Sequence, residues 1–431
     1  HYSLIHRPAP YEKAPWMGLV SSGKRETDWD KVMLQLSRWL VRHLNDPDLI
    51  LWFSERGGYL HDQLARQIHI ELERVLALID EGKALELDEI KTHSPNAIPD
   101  PFMRTLWRLL LSGQVIKYSH DFGLYEWKRQ IKREGLTTTL RLEFRKLLAP
   151  KVTLEKPMRW YAEDDQGQTR ASIKQLVDYE LKLTAGHVHS TLIDLDDEHW
   201  RAALPLLLDD IQQLLLDALG LLQELGSSNN QSDLSWLYLP SISHHSQNRN
   251  HYDWVTLIVL LRDAWLAINK DEPKRAHHIA LGWFDIPYPT FKRLALFAAA
   301  QSTGVSPSQW VEWLLSGNSQ WLWSTETRRE TMRLLVQQGH NLIPASQMVL
   351  EAAIISGPPK DTYKGSTEPE RSQEIMDKAV WLLLAKLHKG SGKLGTEAMA
   401  IFNSLSKSNT QWKLEDNDRD EFLYWMSGTG S

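Results

Sequence analysis

Seventeen histidines in a chain without cysteine pose the first chemical question. Imidazole serves both as a metal ligand and as an acid–base group near neutral pH. Eight of them gather in three places: His187 and His189 with His199 downstream, His244 and His245 with His251, and His277 beside His278. A transition metal needs three or four imidazoles or carboxylates that converge. Two apart on a strand, His187 and His189 would face one side and both reach an ion. No standard third ligand lies near them, and there is no His-Glu-x-x-His helix. The expectation is solvated or singly hydrogen-bonded histidine, and no metal. Asp194, Asp196, Asp197 and Glu198 lie immediately before a helix, where acids complement the positive end of its dipole.

Nucleotide chemistry has two look-alikes. Gly18-Leu19-Val20-Ser21-Ser22-Gly23-Lys24-Arg25 matches the first seven positions of a P-loop, but Arg25 stands where the Mg²⁺-binding hydroxyl belongs. Pro15-Trp16-Met17 precedes it in place of a buried strand. The run from Gly390 to Leu394 lacks the first glycine and follows a helix. No cofactor is expected, and no Gly-x-Ser-x-Gly elbow offers a nucleophile. The basic runs Lys128 to Arg133 and Arg141 to Lys146 read as solvated helix faces, with phosphate contact as the alternative. A formal net charge of −6 gives no field for wholesale nucleic-acid binding, so nucleic acid is not expected as a partner.

Arg-x-x-x-x-His occurs twice, as Arg38 with His43 and as Arg56 with His61. This resembles the active-site motif of HEPN-type ribonucleases, in which a helical Arg–His pair in a dimer cleaves RNA. The resemblance implies a HEPN-like helical ribonuclease as the alternative function, with Arg38 and His43 as its catalytic pair. The plainer reading puts both on the polar side of a helix, and no catalytic, cofactor-binding or metal residue is assigned. This chain alone is not expected to be an enzyme.

The elements that would position any of these groups are mainly helical. Residues 1–28, rich in Pro and Gly, read as an irregular lead-in. Asp28 then caps a helix with Val32, Leu36, Trp39, Leu40 and Leu44 on one face, and an N-terminal helical domain runs over 29–150. Its further helices are expected over 49–53, 60–79, 100–111, 124–132 and 137–148. Residues 151–155 and 179–183 alternate apolar with polar, the strand period, about a turn at 163–168, which predicts a small β-containing insertion over 151–195. A leucine-rich helical segment, in two pieces about Pro205, fills 196–226, and 227–250 reads as a linker. Helices over 251–270, 274–283, 289–302, 307–316, 326–339, 344–356, 370–389 and 394–407 make up a C-terminal repeat-like domain over 251–431. Helices joined by short Pro- or Gly-bearing turns predict an irregular α-solenoid of HEAT- or TPR-like pairs, with an irregular bundle fitting almost as well. No tetratricopeptide or ankyrin consensus string is present.

The 431 residues are 42% hydrophobic and 24% charged, an ordinary globular composition. The 19 tryptophans are expected to fill gaps between helices, each burying its ring while the indole N–H finds an acceptor, with an aromatic-rich recognition groove as the alternative. The absence of cysteine fits a reducing cytoplasm. The apolar run Val255 to Leu261 is stopped by Arg262 and Asp263, too short for a bilayer, so no membrane is expected. His1 to His6 show neither an initiator Met nor a signal-peptide pattern, which predicts a piece of a longer protein.

Three stretches carry a wider resemblance: Gly282-Trp283-Phe284-Asp285-Ile286-Pro287-Tyr288-Pro289 onward to Ala299, Trp313-Leu314-Leu315 followed by Trp321 to Glu330, and Leu350 to Pro359. With Arg38 to Pro47 and Leu49 to Phe53, they resemble the C-terminal helical region of very large bacterial anti-phage defence proteins. In those, an effector, often sirtuin-like or a nuclease, and sometimes a STAND-type ATPase precede a helical sensor array. The resemblance covers about residues 30–110 and 250–360. It implies a protein-interaction sensor or scaffold that recognises a phage protein or holds the effector or ATPase domains of a longer parent, with homo-oligomerisation left open. It carries over no catalytic residue.

Overall fold

The computed structural model describes residues 31–58, 60–118, 122–157, 172–193, 197–245, 248, 252–301, 304–359 and 369–414. The look-alike at Gly18 to Arg25, Asp28, Asp194, Asp196, His251 and the turn at 163–168 lie outside them. The protein is mainly α-helical with one two-stranded antiparallel hairpin. No described helix is long and apolar enough to cross a membrane.

The chain divides into two compact units that interleave along the sequence. Of the described residues, those within 1–124, 146–187 and 220–226 form the first, and those within 125–145, 188–219 and 227–431 form the second. The helices expected as one domain over 29–150 are thus shared between them.

In the first unit, α1 (residues 31–40) runs into a 3₁₀ turn, Val41–His43. Its buried face is Met33, Ser37, Leu40 and Leu44, whereas Val32 and Trp39 point to solvent, Trp39 with 55% of its surface exposed. The expected face was therefore rotated: a Met and a small Ser satisfy the helical period better than the more conspicuous Val and Trp. α2 (Pro47–Ser54) is capped by Asp46, which accepts from the Asp48 N–H at 3.0 Å. α3 (Asp62–Asp80) buries Leu64, Ile68, Leu72 and Val75 on one stripe. α4 (Ala84–His93) escaped the sequence reading because none of its residues is buried and it shows almost no apolar period. α5 (Pro101–Leu111) has Asp100 as its cap, accepting from the Met103 N–H at 2.8 Å. Trp107, fully buried on α5, donates its indole N–H to the Leu44 carbonyl at 2.8 Å and meets Phe53 edge-on. One ring thus ties the end of α1 to α5.

β1 (Pro150–Glu155) pairs with β2 (Asp178–Leu183) in the register Val152 to Leu181 and Leu154 to Tyr179. Val152, Leu154, Leu181 and Leu183 are buried, so the period-2 alternation is the burial pattern itself. Beyond the strands, Thr184 and Ala185 continue the bonding through the carbonyls of Ala149 and Leu147.

In the second unit, α6 (Gly123–Glu134, from Tyr125) and α7 (Thr138–Leu147, to Arg145) join the later helices through an aromatic knot. Trp127 packs on Phe144 at 5.1 Å and edge-on to Trp200 at 5.7 Å. Both indoles donate to carbonyls, Leu140 and Leu192 respectively. This packing explains why 125–145 separates from its sequence neighbours. α8 (Val188–Leu192), α9 (Glu198–Ala203), a 3₁₀ turn at Leu204–Leu207 and α10 (Leu208–Glu224, to Leu219) follow, with the break at Pro205 as the missing amide demands. Asp197 caps α9, accepting from the His199 and Trp200 N–H groups.

After the short helix α11 (Ser235–Tyr238) come α12 (Val255–Asp271), α13 (Pro273–Asp285), α14 (Pro289–Gln301), α15 (Pro307–Trp323), α16 (Arg328–Gln338), α17 (Pro344–Ile355), α18 (Pro369–Ser391) and α19 (Thr396–Ser408). α15 is kinked at 316–319, where Gly317, Asn318 and Ser319 adopt positive φ, the place at which the sequence reading ended a helix. α12 and α14 are buried on nearly every side, from Val255 through Trp265 and from Pro289 through Ala300.

The second P-loop look-alike has a packing role. A methyl group on Gly390 of α18 would collide with the Leu335 carbonyl and Val336 of α16, so glycine is there for close helix approach. Gly282, exposed on α13, has nothing within 4 Å of the same position. Gly390→Ala should therefore lower the thermal midpoint, with overpacking costing about 1–3 kcal/mol. Gly282→Ala should raise it slightly, by the ~0.5–1 kcal/mol of helix propensity. Calorimetry on the two variants checks the pair.

Candidate functional site

A helix buried on every side brings its polar residues inside with it, and those charges must be matched there. α14 does this with Arg293 and α12 with Arg262 and Asp263. Arg293, fully buried, forms a two-pronged ion pair with Glu330 of α16, Nε to Oε2 at 3.1 Å and Nη2 to Oε1 at 3.2 Å. Its other hydrogens reach the Ser235 hydroxyl at 3.1 Å and the Leu239 carbonyl at 2.7 Å. Glu330 Oε1 also accepts the Ile242 N–H at 2.9 Å. Arg262 Nη1 donates to the Ile242 carbonyl at 2.9 Å, while its Nε pairs with Asp263 at 2.7 Å. Asp233 accepts the N–H groups of Ser235 at 3.0 Å and of Thr290 at 2.6 Å.

These charges bind the backbone of 232–243, irregular apart from the single turn of α11 and expected as part of a solvated linker, into the interior. Asp233, Ser235, Ser241, Ile242 and Ser243 are all buried. An interior loop lacks a helix or sheet to satisfy its amides, so buried side chains supply the missing donors and acceptors. Removing one partner of the Arg293–Glu330 pair would leave an uncompensated buried charge, which costs about 3–5 kcal/mol.

Above this network lies a cleft of about 520 Å³. His189 of α8, His244, His245 and Asn248 line it together with Arg262, over apolar walls from Ile193, Leu239 and Val259. Two of the three histidine groups singled out in the sequence meet here. Burial holds the His189 imidazole below its ordinary range. The Arg262 guanidinium, and then burial, do the same to His244 against the opposing charge of Asp263. Both rings are therefore neutral at pH 7. Asn248 braces the rim, donating to the Ser241 and Ser243 carbonyls and accepting the Ser241 N–H.

The remaining candidates fall elsewhere. His187 does not share a strand with His189: β2 ends at Leu183, His187 has φ of 58° and stacks on Phe122, and His189 is helical. His277 and His278 lie on α13, where His278 is bonded to the Lys274 carbonyl. Among the described residues no three His, Cys, Asp or Glu converge as a metal site. Arg38 is exposed on α1, and His43 ends the following turn with its ring 4.7 Å from Trp39. Arg56 lies over the Trp52 ring and donates to the Trp52 carbonyl, and His61 caps α3. The basic runs are largely neutralised: Lys132 pairs with Asp197, Arg129 with Glu126, and Arg141 and Arg145 with Asp210.

Sequence reading missed Arg293, Glu330, Asp233 and Glu326, and took Arg262 only as the end of an apolar run. The available signal was an arginine inside a run otherwise apolar on every helical face. No family model, curated protein or solved structure matches the chain.

Glu326 gives the network a pH dependence. Burial raises its carboxyl to about 7, helped by the negative charge of Asp233 and opposed by the Ser232 hydroxyl, Arg293 and Trp236. The folded state then binds a proton that the unfolded chain releases near the ordinary value of 4.5, so stability falls as pH rises from about 4.5 to 7. The loss is on the order of 3 kcal/mol. Glu326→Gln should raise the unfolding midpoint at pH 8 by a few degrees and leave it nearly unchanged at pH 4.5. Thermal scans at the two pH values test this; an equal shift at both would refute it.

Proposed function

We propose that this chain is a protein-binding helical scaffold, the sensor or holding part of an anti-phage defence protein, built on solenoid-like helix pairs and acting without chemistry of its own. The observation that carries this reading is the outer face of α17. Met348 is 67% exposed, Val349 50% and the preceding Ile343 49%, with Ala345 and Ala352 on the same face. Glu351, the one charged residue of this helix, is turned inward to accept the Gly395 N–H and the Gln347 amide. An uncharged apolar helix face in water is a docking surface rather than a solvated one. Its chemistry fits the apolar side of an amphipathic helix on a protein partner, laid along it by the i, i+3, i+4 spacing.

The resemblance to defence proteins supplies the class of partner, a phage protein or the effector domains of a longer parent. The ribonuclease reading with Arg38 and His43 gains no observation of its own.

Met348→Asp with Val349→Asp should leave the thermal midpoint within about 0.5 kcal/mol of wild type, as exposed substitutions do. Purified from phage-infected cells, wild type should retain one defined phage protein, whose photo-cross-link maps to 345–352, and the double variant should lose it. Retention of the same protein by both would sink the reading, and so would RNA cleavage by the wild type that His43→Ala abolishes.

A further inference from the structure

We infer that the groove between α3 and α5 binds a small monocarboxylic acid, its carboxylate held by Arg104 and Arg108 and its hydrocarbon part laid against leucines. The inference is independent of the scaffold reading, which rests on α17. The two helices enclose a cavity of about 650 Å³, within the size range of small-molecule sites. On α3, His69, Leu72, Glu73 and Leu76 recur at the three- and four-residue spacing that puts them on one face. On α5, Arg104, Thr105, Arg108 and Leu111 do the same. Leu72 is buried, while Leu76 and Leu111 are only half-buried and give the cavity an apolar lining.

Like charges four residues apart on a helix disfavour one another. The basic residues of α6 and α7 are relieved by acids, Arg129 by Glu126, Lys132 by Asp197, and Arg141 by Asp210. Arg104 and Arg108 are not. Among the described residues the Arg104 side chain makes no hydrogen bond or ion pair, and Arg108 makes one, from Nη2 to the Thr105 hydroxyl at 3.2 Å. Glu73 lines the opposite wall without pairing to either. Both guanidinium groups are within reach of a ligand: Arg108 is exposed, and Arg104, though half-buried, has no nitrogen cut off from the surface. A guanidinium offers parallel N–H groups that match the two oxygens of a carboxylate, and Arg104 has that fork unspent. The charges of the lining select a monoanion, since Glu73 offsets one of the two arginines. A phosphate monoester, with nearly two negative charges, is less well matched, and the leucines favour an apolar body behind the single charged head.

Calorimetric titration of the full chain with decanoate, decanol and decyl phosphate, at constant ionic strength and below micelle formation, tests the proposal. Decanoate should bind saturably, at least ~10-fold tighter than decanol, the effect of adding a charge-assisted hydrogen bond. Decyl phosphate should bind more weakly than decanoate. Arg104→Gln and Arg108→Gln should each weaken decanoate binding by about 10-fold and leave the weak binding of decanol as it was. The thermal midpoint should not move in either variant, because neither guanidinium holds another element in place. Glu73→Gln should tighten decanoate binding several-fold, a change that adsorption on apolar surface would not produce. Absence of saturable decanoate binding by wild type, or equal affinity for decanoate and decanol, would overturn the proposal. Undiminished binding by both arginine variants, or a preference for decyl phosphate over decanoate, would do so equally.

Discussion

Arg293 has no water to turn to, and the second unit is arranged around that fact. It sits on a helix enclosed on every side, and its positive charge is matched by Glu330 from a neighbouring helix. The pair is useful beyond its own neutrality. Glu330 takes the N–H of Ile242, Arg293 takes the carbonyl of Leu239, and Arg262 takes the carbonyl of Ile242. A stretch of chain with little regular structure is thereby held where a strand or helix would otherwise be needed to satisfy its backbone. Whether such a pair adds net stability over an apolar substitute is a separate matter, since desolvation offsets much of the attraction. Its contribution here is to specify one conformation for residues 232–243.

The cleft depends on that specification. His244 and His245 follow directly on the pinned segment, Asn248 ties the same turn to Ser241 and Ser243, and Arg262 reaches both the pinned peptide and the cleft. A mobile linker could not keep these groups facing His189. The exposed apolar face of α17, proposed as a docking surface, needs no such support: it is the outer side of a helix whose inner side, through Leu350, Glu351 and Ile354, is already packed. One surface therefore rests on amphipathic geometry alone, the other on buried charge.

That difference decides what the sequence made legible. The helices after residue 250 and the hairpin at 150–183 were readable to within a few residues, because burial there follows the 3.6- and 2-residue periods. α4 was invisible for the converse reason: it buries nothing. On α1 the period was present but the face was misjudged, since Trp39 draws attention and Ser37 does not. The segment 227–250 read as a linker because Ser, Asn and Gln suggest solvent, and only partners 50 to 90 residues away in sequence, Arg293 and Glu330, turn it inward. Likewise the histidine groups were visible as groups, while the meeting of His189 with His244 and His245 depends on how distant elements pack, which spacing does not encode. Arg262 looked like the end of an apolar stretch, although burial on both sides of it marks it as an internal charge.

The most direct measurement of the central claim is amide hydrogen exchange across residues 232–243. Pinned by buried carboxylates and guanidinium groups, the N–H groups of Ser235 and Ile242 should exchange as slowly as those in the middle of α14, through opening of the whole unit. Exchange within seconds, at the pace of a solvated linker and independent of α14, would contradict the account.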